Sequence, residues 1–415
     1  MKPLSVPGYV ASICAVLKDA GYEAYAVGGG VRDALLGRAP KDWDVATSAP
    51  PEEVQRLFPR TVPTGIEFGT VTVLMNGHAV EVTTFRGESG YYDGRHPESV
   101  HFIGSIEDDL VRRDFTINAI AYDPQTNTVV DPHNGRSDLA QRLIRAVGDP
   151  NERFREDGLR VLRAVRLAVE LRFFIEPETK KAMRRHGGKL LQISRERIGQ
   201  EWRRMLAAPE AARGLAMLSE LELLPYVLPA PAGQAPSAAR IVRTIAALDR
   251  APGGSLAVKT ALVLYGLGGA ELDEYWLRQL VYPRRVMRET LHIVRFMRAF
   301  NPDQLKDDAA LRRFMSTLGR PFAAGFFEAW RAWRSGKQAR LLQERAARIL
   351  RRGDALAPAE LAVDGHDVRQ ALPDAAGREI GEALQDLLDH VLQHPEDNNR
   401  ERLLALLAAR RPGAR

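Results

Sequence analysis

Two aspartates separated by one residue, Asp42 and Asp44, follow shortly after a run of glycines at positions 28–30. The apolar residues 25–27 predict a strand, the glycines interrupt it, and the sequence VRDALLG predicts a short helix. Glycine N–H groups at a helix N-terminus, with the helix dipole behind them, can bind a phosphate chain. The order strand, glycines, helix therefore predicts a phosphate-binding turn close to two carboxylates.

The two aspartates themselves suggest a metal site. Val45 and Ala46 follow Asp44, so we expect a strand on which residues two apart face the same side. Adjacent carboxylates repel each other unless cations lie between them, and oxygen ligands favour hard metals such as Mg²⁺. Each feature also has a simpler explanation when it is considered alone. The glycines could form a turn that binds no ligand, and the Asp-x-Asp sequence could be a solvated turn. Together they predict nucleotidyl transfer.

A second chemical pattern, RFREDGLRVLRAVRLA, contains Asp157 and Arg160 three residues apart on a predicted helix. Cytosine and adenine present an amino donor beside a ring-nitrogen acceptor, whereas uracil and guanine present the opposite order. A carboxylate beside a guanidinium therefore complements C and A. The alternative is an ordinary surface salt bridge. Arg163 and Arg166 continue the same face, either for phosphate contacts or for solvation of the helix.

The stretch DLVRRDFTINAIAY adds a third group of polar residues. On a predicted helix, Asp114 and Asn118 are four residues apart and share a face next to Arg113. These side chains can hydrogen-bond ribose hydroxyls. The alternative is a salt bridge at the start of a helix.

The string GGGVRDALLGRAPKDWDVAT resembles the first motif of the class II tRNA nucleotidyltransferase family, which also contains bacterial poly(A) polymerases. Further motifs of that family are matched by residues 109–122, 131–150, 153–168 and 193–209. The resemblance covers residues 25–209, and the remainder agrees only in its helical character.

This resemblance implies a role for each site residue. Two Mg²⁺ ions would be held by Asp42 and Asp44. The implied catalytic and nucleotide-binding residues are Glu81 as a third acidic residue beside the metals, Gly28, Gly29 and Arg32 for the triphosphate, Arg113, Asp114 and Asn118 for the ribose, Asp157 and Arg160 for the base, and Arg163 and Arg166 as further contacts. From the residues alone, Glu81 could equally face solvent.

The implied fold is an α/β head, a small mixed nucleotidyltransferase sheet with helices, followed by an all-α neck, body and tail in an elongated molecule. The predicted boundaries are 1–150 for the catalytic head, 151–208 for the base-recognising neck, 209–350 for an RNA-binding body and 351–415 for a tRNA-binding tail.

Local signals predict several elements. Asn76-Gly77 between alternating apolar residues predicts a two-residue hairpin turn. Ser194 is a predicted N-cap, and VDGHDVRQ is predicted to cap a later helix. Residues 86–100 are polar and glycine-bearing, which predicts a long loop. In the family, a flexible loop here accompanies adenosine addition, and Arg95 offers a basic group.

Composition narrows the class of protein. The chain has 415 residues, 45% of them hydrophobic, a net charge of +6 and a pI near 9.4. The length predicts several packed units, and the basic balance favours a polyanionic partner. The single cysteine, Cys14, excludes an internal disulfide. Neither a membrane span nor a signal peptide is evident, so we expect a soluble cytoplasmic protein without a membrane partner.

Three functions fit these patterns. The first is addition of CCA to the 3′ end of tRNA, with CTP and ATP as substrates. The second is a related specificity, either A-only addition or polyadenylation; the sequence NGHAVEVTTFRGESG lacks the arginine-rich stretch associated with the poly(A) branch. The third is a non-catalytic RNA-binding protein, which the intact carboxylates argue against.

Overall fold

The computed structural model of the chain describes residues 3–91, 97–231 and 234–409. These residues divide into two compact units, Met1–Pro231 and Ala232–Arg415. The first unit contains the strands and the first helices, and the second is helical, in agreement with an α/β head followed by helices. Arg95, in the predicted loop, lies outside the described residues. The predicted four-part division of the chain remains a prediction.

Within the described residues, the strands all belong to the first unit. They are β1 (Ala24–Val27), β2 (Asp44–Thr47), β3 (Thr61–Gly65), β4 (Thr70–Met75), β5 (His78–Thr84), β6 (Arg86–Tyr91), β7 (Pro97–Phe102), β8 (Ala121–Asp123), β9 (Thr128–Val130), β10 (Leu143–Ile144) and β11 (Phe174–Ile175). Within the described residues, a seven-stranded mixed sheet has the order β3-β4-β5-β2-β1-β8-β9. Strands β2 and β5 are parallel, and the other pairs in this sheet are antiparallel.

The helices of the first unit surround and follow this sheet. They are α1 (Gly8–Asp19), α2 (Gly28–Leu35), α3 (Pro51–Leu57), α4 (Ile106–Val111), α5 (Gly135–Gln141), α6 (Pro150–Glu156), α7 (Leu159–Leu171), α8 (Pro177–His186), α9 (Arg195–Ala207), α10 (Ala211–Glu220) and α11 (Leu224–Val227). A core cluster that includes Val27, Ala46, Phe85 and Leu110 lies where β1 and β2 meet α4. Cys14 is buried on α1.

The second unit is built from helices. They are α12 (Ala238–Asp249), α13 (Leu256–Leu267), α14 (Ala270–Gln279), α15 (Arg284–Ala299), α16 (Asp308–Leu318), α17 (Arg320–Arg334), α18 (Lys337–Arg352), α19 (Gly365–Ala371), α20 (Gly377–Gln393) and α21 (Arg400–Ala408). Trp276 and Trp330 are buried in the core of this unit. Among the described residues, no helix is long and apolar enough to span a membrane.

Several local predictions are confirmed. Asn76 and Gly77 both have positive φ, 52° and 79°, and pair Met75 with His78 in the predicted hairpin. The Ser194 side chain accepts a hydrogen bond from the backbone N–H of Arg197 and caps α9. Asp364 forms a capping box at the start of α19, within the predicted VDGHDVRQ cap.

Four local predictions are wrong. Most of the predicted loop at residues 86–100 pairs as the antiparallel strands β6 and β7. Asp42 precedes β2, which begins only at Asp44. Asp114 and Asn118 do not share an α-helix, because α4 ends at Val111 and a 3₁₀ turn, Thr116–Asn118, follows. Asp157 lies in a break between α6 and α7 and does not share a helix with Arg160.

Candidate functional site

A cleft of about 820 Å³ in the first unit collects most of the residues that the sequence singles out. Of the predicted site residues, the cleft is lined by Gly28, Gly29, Arg32, Asp42, Asp44, Arg113, Asp114, Asn118, Asp157, Arg160, Arg163 and Arg166. Residues more than a hundred positions apart in sequence therefore face one space. Glu81 does not line it.

The cleft is strongly basic. Its lining contains ten arginine and lysine side chains against six carboxylates, which leaves four net positive charges. A concave surface with an excess of one sign concentrates ions of the opposite sign. A nucleoside triphosphate carries negative charge of comparable size, so the electrostatics suit such a ligand.

The glycine run forms one wall of the cleft. The last residue of β1, Val27, pairs with Asp44, the first residue of β2, so the start of α2 lies beside Asp44. Gly28 has a φ of +72°, and a Cβ there would lie 3.2 Å from Nη1 of Arg113 and 3.4 Å from Oδ2 of Asp44. A side chain at position 28 would be strained and would fill the space between these charged groups.

Gly30 holds the other aspartate in place. A Cβ at this position would lie 2.8 Å from Cε3 of Trp43 and 3.0 Å from the carbonyl oxygen of Asp42. Trp43, which lies between the two aspartates in the sequence, is buried. Close packing of α2 on Trp43 thus fixes the backbone that carries both carboxylates.

The carboxylates are electrostatically disfavoured in the metal-free chain. Burial raises the pKa of Asp44 to about 6, the nearby Glu81 and Asp42 carboxylates add to the increase, and Arg113 opposes it. A cation would relieve this repulsion. Both donors are carboxylate oxygens, which suits a hard divalent metal.

Asp42 and Asp44 cannot complete a metal site alone. Within the described ranges, no group of three or more His, Cys, Asp or Glu side chains is placed to hold an ion. The remaining ligands would come from water or from a substrate phosphate. Such an open coordination sphere fits a metal that binds together with a nucleotide.

Glu81 lies beside this pair on the neighbouring strand. In the parallel β2–β5 pair, Glu81 is directly opposite Asp44. Its side chain is exposed, and its charge contributes to the raised pKa of Asp44. A role for Glu81 next to the metals remains a prediction.

Two of the residues predicted to bind ribose, Asp114 and Asn118, belong to a hydrogen-bonded network, although they do not share an α-helix. The Asn118 Nδ2 atom donates to Oδ1 of Asp114 over 3.0 Å, and its Oδ1 accepts from Nη1 of Arg32 over 2.8 Å. The Asp114 carboxylate also accepts from Nη2 of Arg163 over 2.7 Å. Burial favours the neutral acid, but the Arg163 guanidinium and the Asn118 hydrogen bond outweigh it, so the pKa of Asp114 is well below its usual range.

Arg113, which was predicted to bind ribose, lies close to the carboxylates of Asp109 and Asp44. It forms an ion pair with Asp109 at 3.1 Å and approaches Gly28 and Asp44. Its Nε atom is buried and has no hydrogen-bond partner among the described residues. This position allows contacts with phosphate as well as with sugar.

Asp157 and Arg160 are held by separate partners. Asp157 accepts hydrogen bonds from Nη2 of Arg197 at 2.7 Å and from the backbone N–H of Leu159 at 2.9 Å. Arg160 donates to Glu156 at 2.8 Å and to the carbonyl of Arg112 at 3.0 Å. The described residues contain no salt bridge between Asp157 and Arg160, which argues against the alternative of a simple surface pair.

Arg163 and Arg166 belong to a buried ion network that also contains Glu201 of α9. Arg166 is only 3% exposed and pairs with Glu201 and, at 2.5 Å, with Glu170. Arg163 bridges Asp114 and Glu201. Arg166 therefore does not serve to solvate the helix. Its ion pair with Glu201 connects α7 to α9.

Sequence reasoning assigned no role to several charged residues of the lining. They are Asp33, Arg38, Lys41, Arg112, Glu170 and Arg204. Arg38 and Lys41 lie between the glycines and the aspartates in the sequence GGGVRDALLGRAPKDWDVAT. Their positive charge next to the predicted phosphate-binding turn could have indicated them. Arg112, Glu170 and Arg204 become visible only when distant segments pack together.

Comparisons with known proteins agree with this geometry. Residues 24–145 match the poly A polymerase head domain, and residues 172–233 match a probable RNA- and SrmB-binding site of polymerase A. The CCA-adding enzyme of Geobacillus stearothermophilus is 39% identical over 400 residues, which cover 95% of each chain.

Solved structures give the same result. The crystal structure of the Bacillus stearothermophilus CCA-adding enzyme in complex with CTP is 36% identical, with a TM-score of 0.78 over 97% of this chain and 96% of that one. The Thermotoga maritima CCA-adding enzyme, complexed with tRNA, has a TM-score of 0.72 over 96% of this chain and 94% of that one. At 20% identity, this second likeness supports the fold alone. The chain therefore belongs to the family of CCA-adding enzymes, which are tRNA nucleotidyltransferases with a poly(A)-polymerase-type head.

Proposed function

We propose that this protein adds CCA to the 3′ end of tRNA, using CTP and ATP and releasing pyrophosphate. The observation that carries the proposal is the cleft that contains both the Asp42–Asp44 pair and the Asp157–Arg160 pair. The first pair suits phosphoryl chemistry, and the second suits the selection of C and A. The similarity to an enzyme whose structure contains CTP supports the same ligand class.

Each part of the nucleotide has residues of matching chemistry. Gly28, Gly29 and Arg32 offer backbone and guanidinium N–H groups to the triphosphate. Arg113, Asp114 and Asn118 offer both donors and acceptors to ribose hydroxyls. Because Arg32 donates to Asn118, the phosphate and sugar groups form one hydrogen-bonded unit. A displaced sugar would therefore disturb the contacts of the triphosphate.

The family generally uses divalent metal ions, and we propose Mg²⁺ for this chain, held by Asp42 and Asp44. When bound, Mg²⁺ would lower the pKa of the RNA 3′-hydroxyl and would neutralise negative charge on the departing pyrophosphate. The oxygen-only donors and the raised pKa of Asp44 support this choice. Glu81 reinforces the negative field from the adjacent strand.

The chain's own residues position the reacting groups. The 3′-hydroxyl oxygen of the RNA attacks the α-phosphorus, the hydroxyl proton passes to water, and the bond to the β,γ-pyrophosphate breaks, so that pyrophosphate is released. The glycine turn and Arg32 hold the triphosphate in line for this displacement. The guanidinium groups of the lining stabilise the charge that develops on the phosphate oxygens.

Base selection follows from donors and acceptors. The Asp157 carboxylate accepts from the exocyclic amino group of C or A, and the Arg160 guanidinium donates to the adjacent ring nitrogen. Uracil or guanine would place its carbonyl oxygen against the Asp157 carboxylate and its ring N–H against the Arg160 guanidinium. Each group left without a hydrogen-bond partner would cost about 1–3 kcal/mol. The basic helical half binds the tRNA acceptor arm through backbone and shape. With tRNA as substrate, the protein acts in the cytoplasm.

Extension of three tRNA transcripts tests the proposal. Transcripts ending at the discriminator base, at C and at CC are incubated with Mg²⁺ and with CTP, ATP or both, and products are resolved to single nucleotides. Growth of all three to CCA and no further is the expected result. Asp42→Ala, which keeps the cleft but loses one carboxylate, should abolish transfer while tRNA binding persists.

Other outcomes distinguish the alternatives. A single A added only to the CC-ended transcript would identify an A-adding enzyme, and long A tails would identify a poly(A) polymerase. Retained binding without extension would contradict catalysis. A fully active Asp42→Ala variant would overturn the metal assignment.

A further inference from the structure

Helix α15 carries four exposed arginines for which the described part of the chain provides no ion-paired acid. Arg284, Arg285, Arg288 and Arg295 are all exposed. Arg284, Arg288 and Arg295 are spaced i, i+4 and i+11, which puts them on one face over about 16 Å of helix. We call these three residues the α15 stripe.

The stripe differs from three other exposed arginines of the second unit. Arg278, Arg340 and Arg378 each have a glutamate four residues away, at 2.5, 3.7 and 2.9 Å. For the three stripe arginines, no ion pair within 4.0 Å is found among the residues that the structure describes. The stripe therefore offers its positive charge to solvent.

The single acid of α15 does not neutralise the stripe. Glu289 lies toward α17, where its Oε1 atom is 3.9 Å from the Cβ position of Gly325. The buried side of α15 is formed by Thr290, Ile293, Val294 and Met297. The exposed and packed faces of the helix are thus chemically distinct.

The stripe is also electrostatically unfavourable within the isolated chain. The first turn of α15 contains two arginines and no acid, so cations lie at the positive end of the helix dipole. Arg284 and Arg288 add a like-charge i,i+4 pair, which destabilises a helix. A polyanion bound along this face would reverse both effects.

The turn that precedes α15 is strained. Val281 has a φ of +48°, a left-handed conformation that is unusual for a β-branched residue. The backbone N–H of Tyr282 reaches the carbonyl of Leu277, and that of Val281 reaches the carbonyl of Arg278, so the turn is firmly closed. This fixed turn determines where α15 begins and therefore where Arg284 lies.

The second unit has a contrasting acidic face. Helix α20 exposes Glu379, Asp386 and Asp389, spaced i, i+7 and i+10, together with Glu382, which is ion-paired to Arg378. A polyanion would be repelled there and attracted to α15. The distribution of charge therefore gives the unit a preferred face for an anionic partner.

We infer that the α15 stripe is a docking surface for successive phosphates of the tRNA backbone. This inference rests on the proposed function for the identity of the polyanion. Phosphate contacts carry no base information, so the stripe would bind the duplex part of any tRNA by shape and charge.

The test measures binding of a CC-ended tRNA transcript to the full-length protein, without CTP or ATP, between 50 and 300 mM KCl. The neutral variant is Arg284→Gln, Arg288→Gln and Arg295→Gln combined. The control is Arg278→Gln, Arg340→Gln and Arg378→Gln combined, which removes the same total charge from ion-paired positions of the same unit. Thermal unfolding verifies that both variants fold.

Loss of three phosphate contacts should reduce the magnitude of the slope of log K against log salt by about 2, since each contact contributes about 0.7–0.9. At 0.1 M salt, a slope difference of about 2 corresponds to about a hundredfold weakening if the variant and the wild-type protein bind equally at 1 M salt. The control should keep the wild-type slope. A third variant with lysine at all three stripe positions should restore the slope, because its charges are retained.

Two results would overturn the inference: a wild-type slope in the neutral variant, or equal weakening in the neutral variant and the control. The second would assign the effect to net charge. Transfer by the wild-type protein is measured separately. If the wild-type protein bound tRNA through the stripe but extended no transcript, the proposed activity would fail and the docking surface would stand.

Discussion

Replacing Asp44 by asparagine should abolish nucleotidyl transfer and yet stabilise the metal-free protein. Burial, together with the charges of Glu81 and Asp42, raises the pKa of Asp44 from 3.8 to about 6. The ionised carboxylate is therefore disfavoured in the folded chain relative to the unfolded one. Asparagine keeps the size of the side chain and removes the charge, although it also removes the attraction to Arg113.

The magnitude follows from linkage. A shift of about 2 pKa units corresponds to roughly 3 kcal/mol at most, at 1.36 kcal/mol per unit. Partial exposure and the lost attraction to Arg113 reduce this to about 1–3 kcal/mol. Because the folded pKa is the higher one, the penalty is absent below pH 3.8, grows as the pH rises to about 6, and is constant above. The advantage of Asp44→Asn should grow over the same interval.

Denaturant unfolding in EDTA at pH 4.5, 6 and 8 measures this effect. Asp42→Asn is the matched control, because Asp42 is exposed and its replacement should change stability less. Added Mg²⁺ should then stabilise the wild-type protein and not Asp44→Asn, since ligand binding to the folded state raises stability by mass action. A variant less stable than wild type at pH 8 in EDTA, or a difference independent of pH, would refute the reasoning.

Three further predictions concern the same cleft. Gly30→Ala should slow transfer strongly and cost about 1–3 kcal/mol in unfolding free energy, because the new methyl group would lie 2.8 Å from Trp43; rate and stability assays check this. Arg160→Ala should increase misincorporation of U and G before it eliminates transfer, as competition assays with all four nucleotides would show. Asp114→Asn should destabilise the protein by about 2–4 kcal/mol at pH 7, because it leaves the charge of Arg163 undercompensated. Since the pKa of Asp114 is lowered, that loss should shrink below about pH 4, which unfolding measured against pH would reveal.

The sequence predicts those turns, caps and strand contacts that are determined by residues close together in the chain. The β4–β5 hairpin depends on two residues, Asn76 and Gly77, that tolerate positive φ, and their neighbours alternate in polarity. The start of α9 depends on the hydroxyl of Ser194. The position of Asp44 beside the glycines follows from one short strand pair. In each case, the deciding interaction spans few residues.

Features that depend on distant partners could not be predicted. The helical pattern continues through Asp157, but its carboxylate accepts from the Leu159 N–H and from Arg197, forty residues away, and the helix breaks there. Arg163 was expected to face phosphates or solvent, and it is instead bound by Asp114, forty-nine residues earlier. The periodicity of a sequence predicts which side of a helix a residue occupies. It does not predict which charged residue from another segment will pair with it.

The separate partners of Asp157 and Arg160 bear on how a protein can select a base. If the two side chains were paired with each other, an incoming base would have to break that salt bridge before it could use either group. Here Arg197 of α9 orients the carboxylate and Glu156 of α6 orients the guanidinium, so each keeps hydrogen-bonding capacity for a ligand. In the proposed function, selection then depends on the match of the base edge, at about 1–3 kcal/mol per unpaired group, or roughly 5- to 150-fold. Because the orientation comes from helices on both sides of the proposed base-reading pair, changes in α9 should alter specificity even though Arg197 need not touch the base.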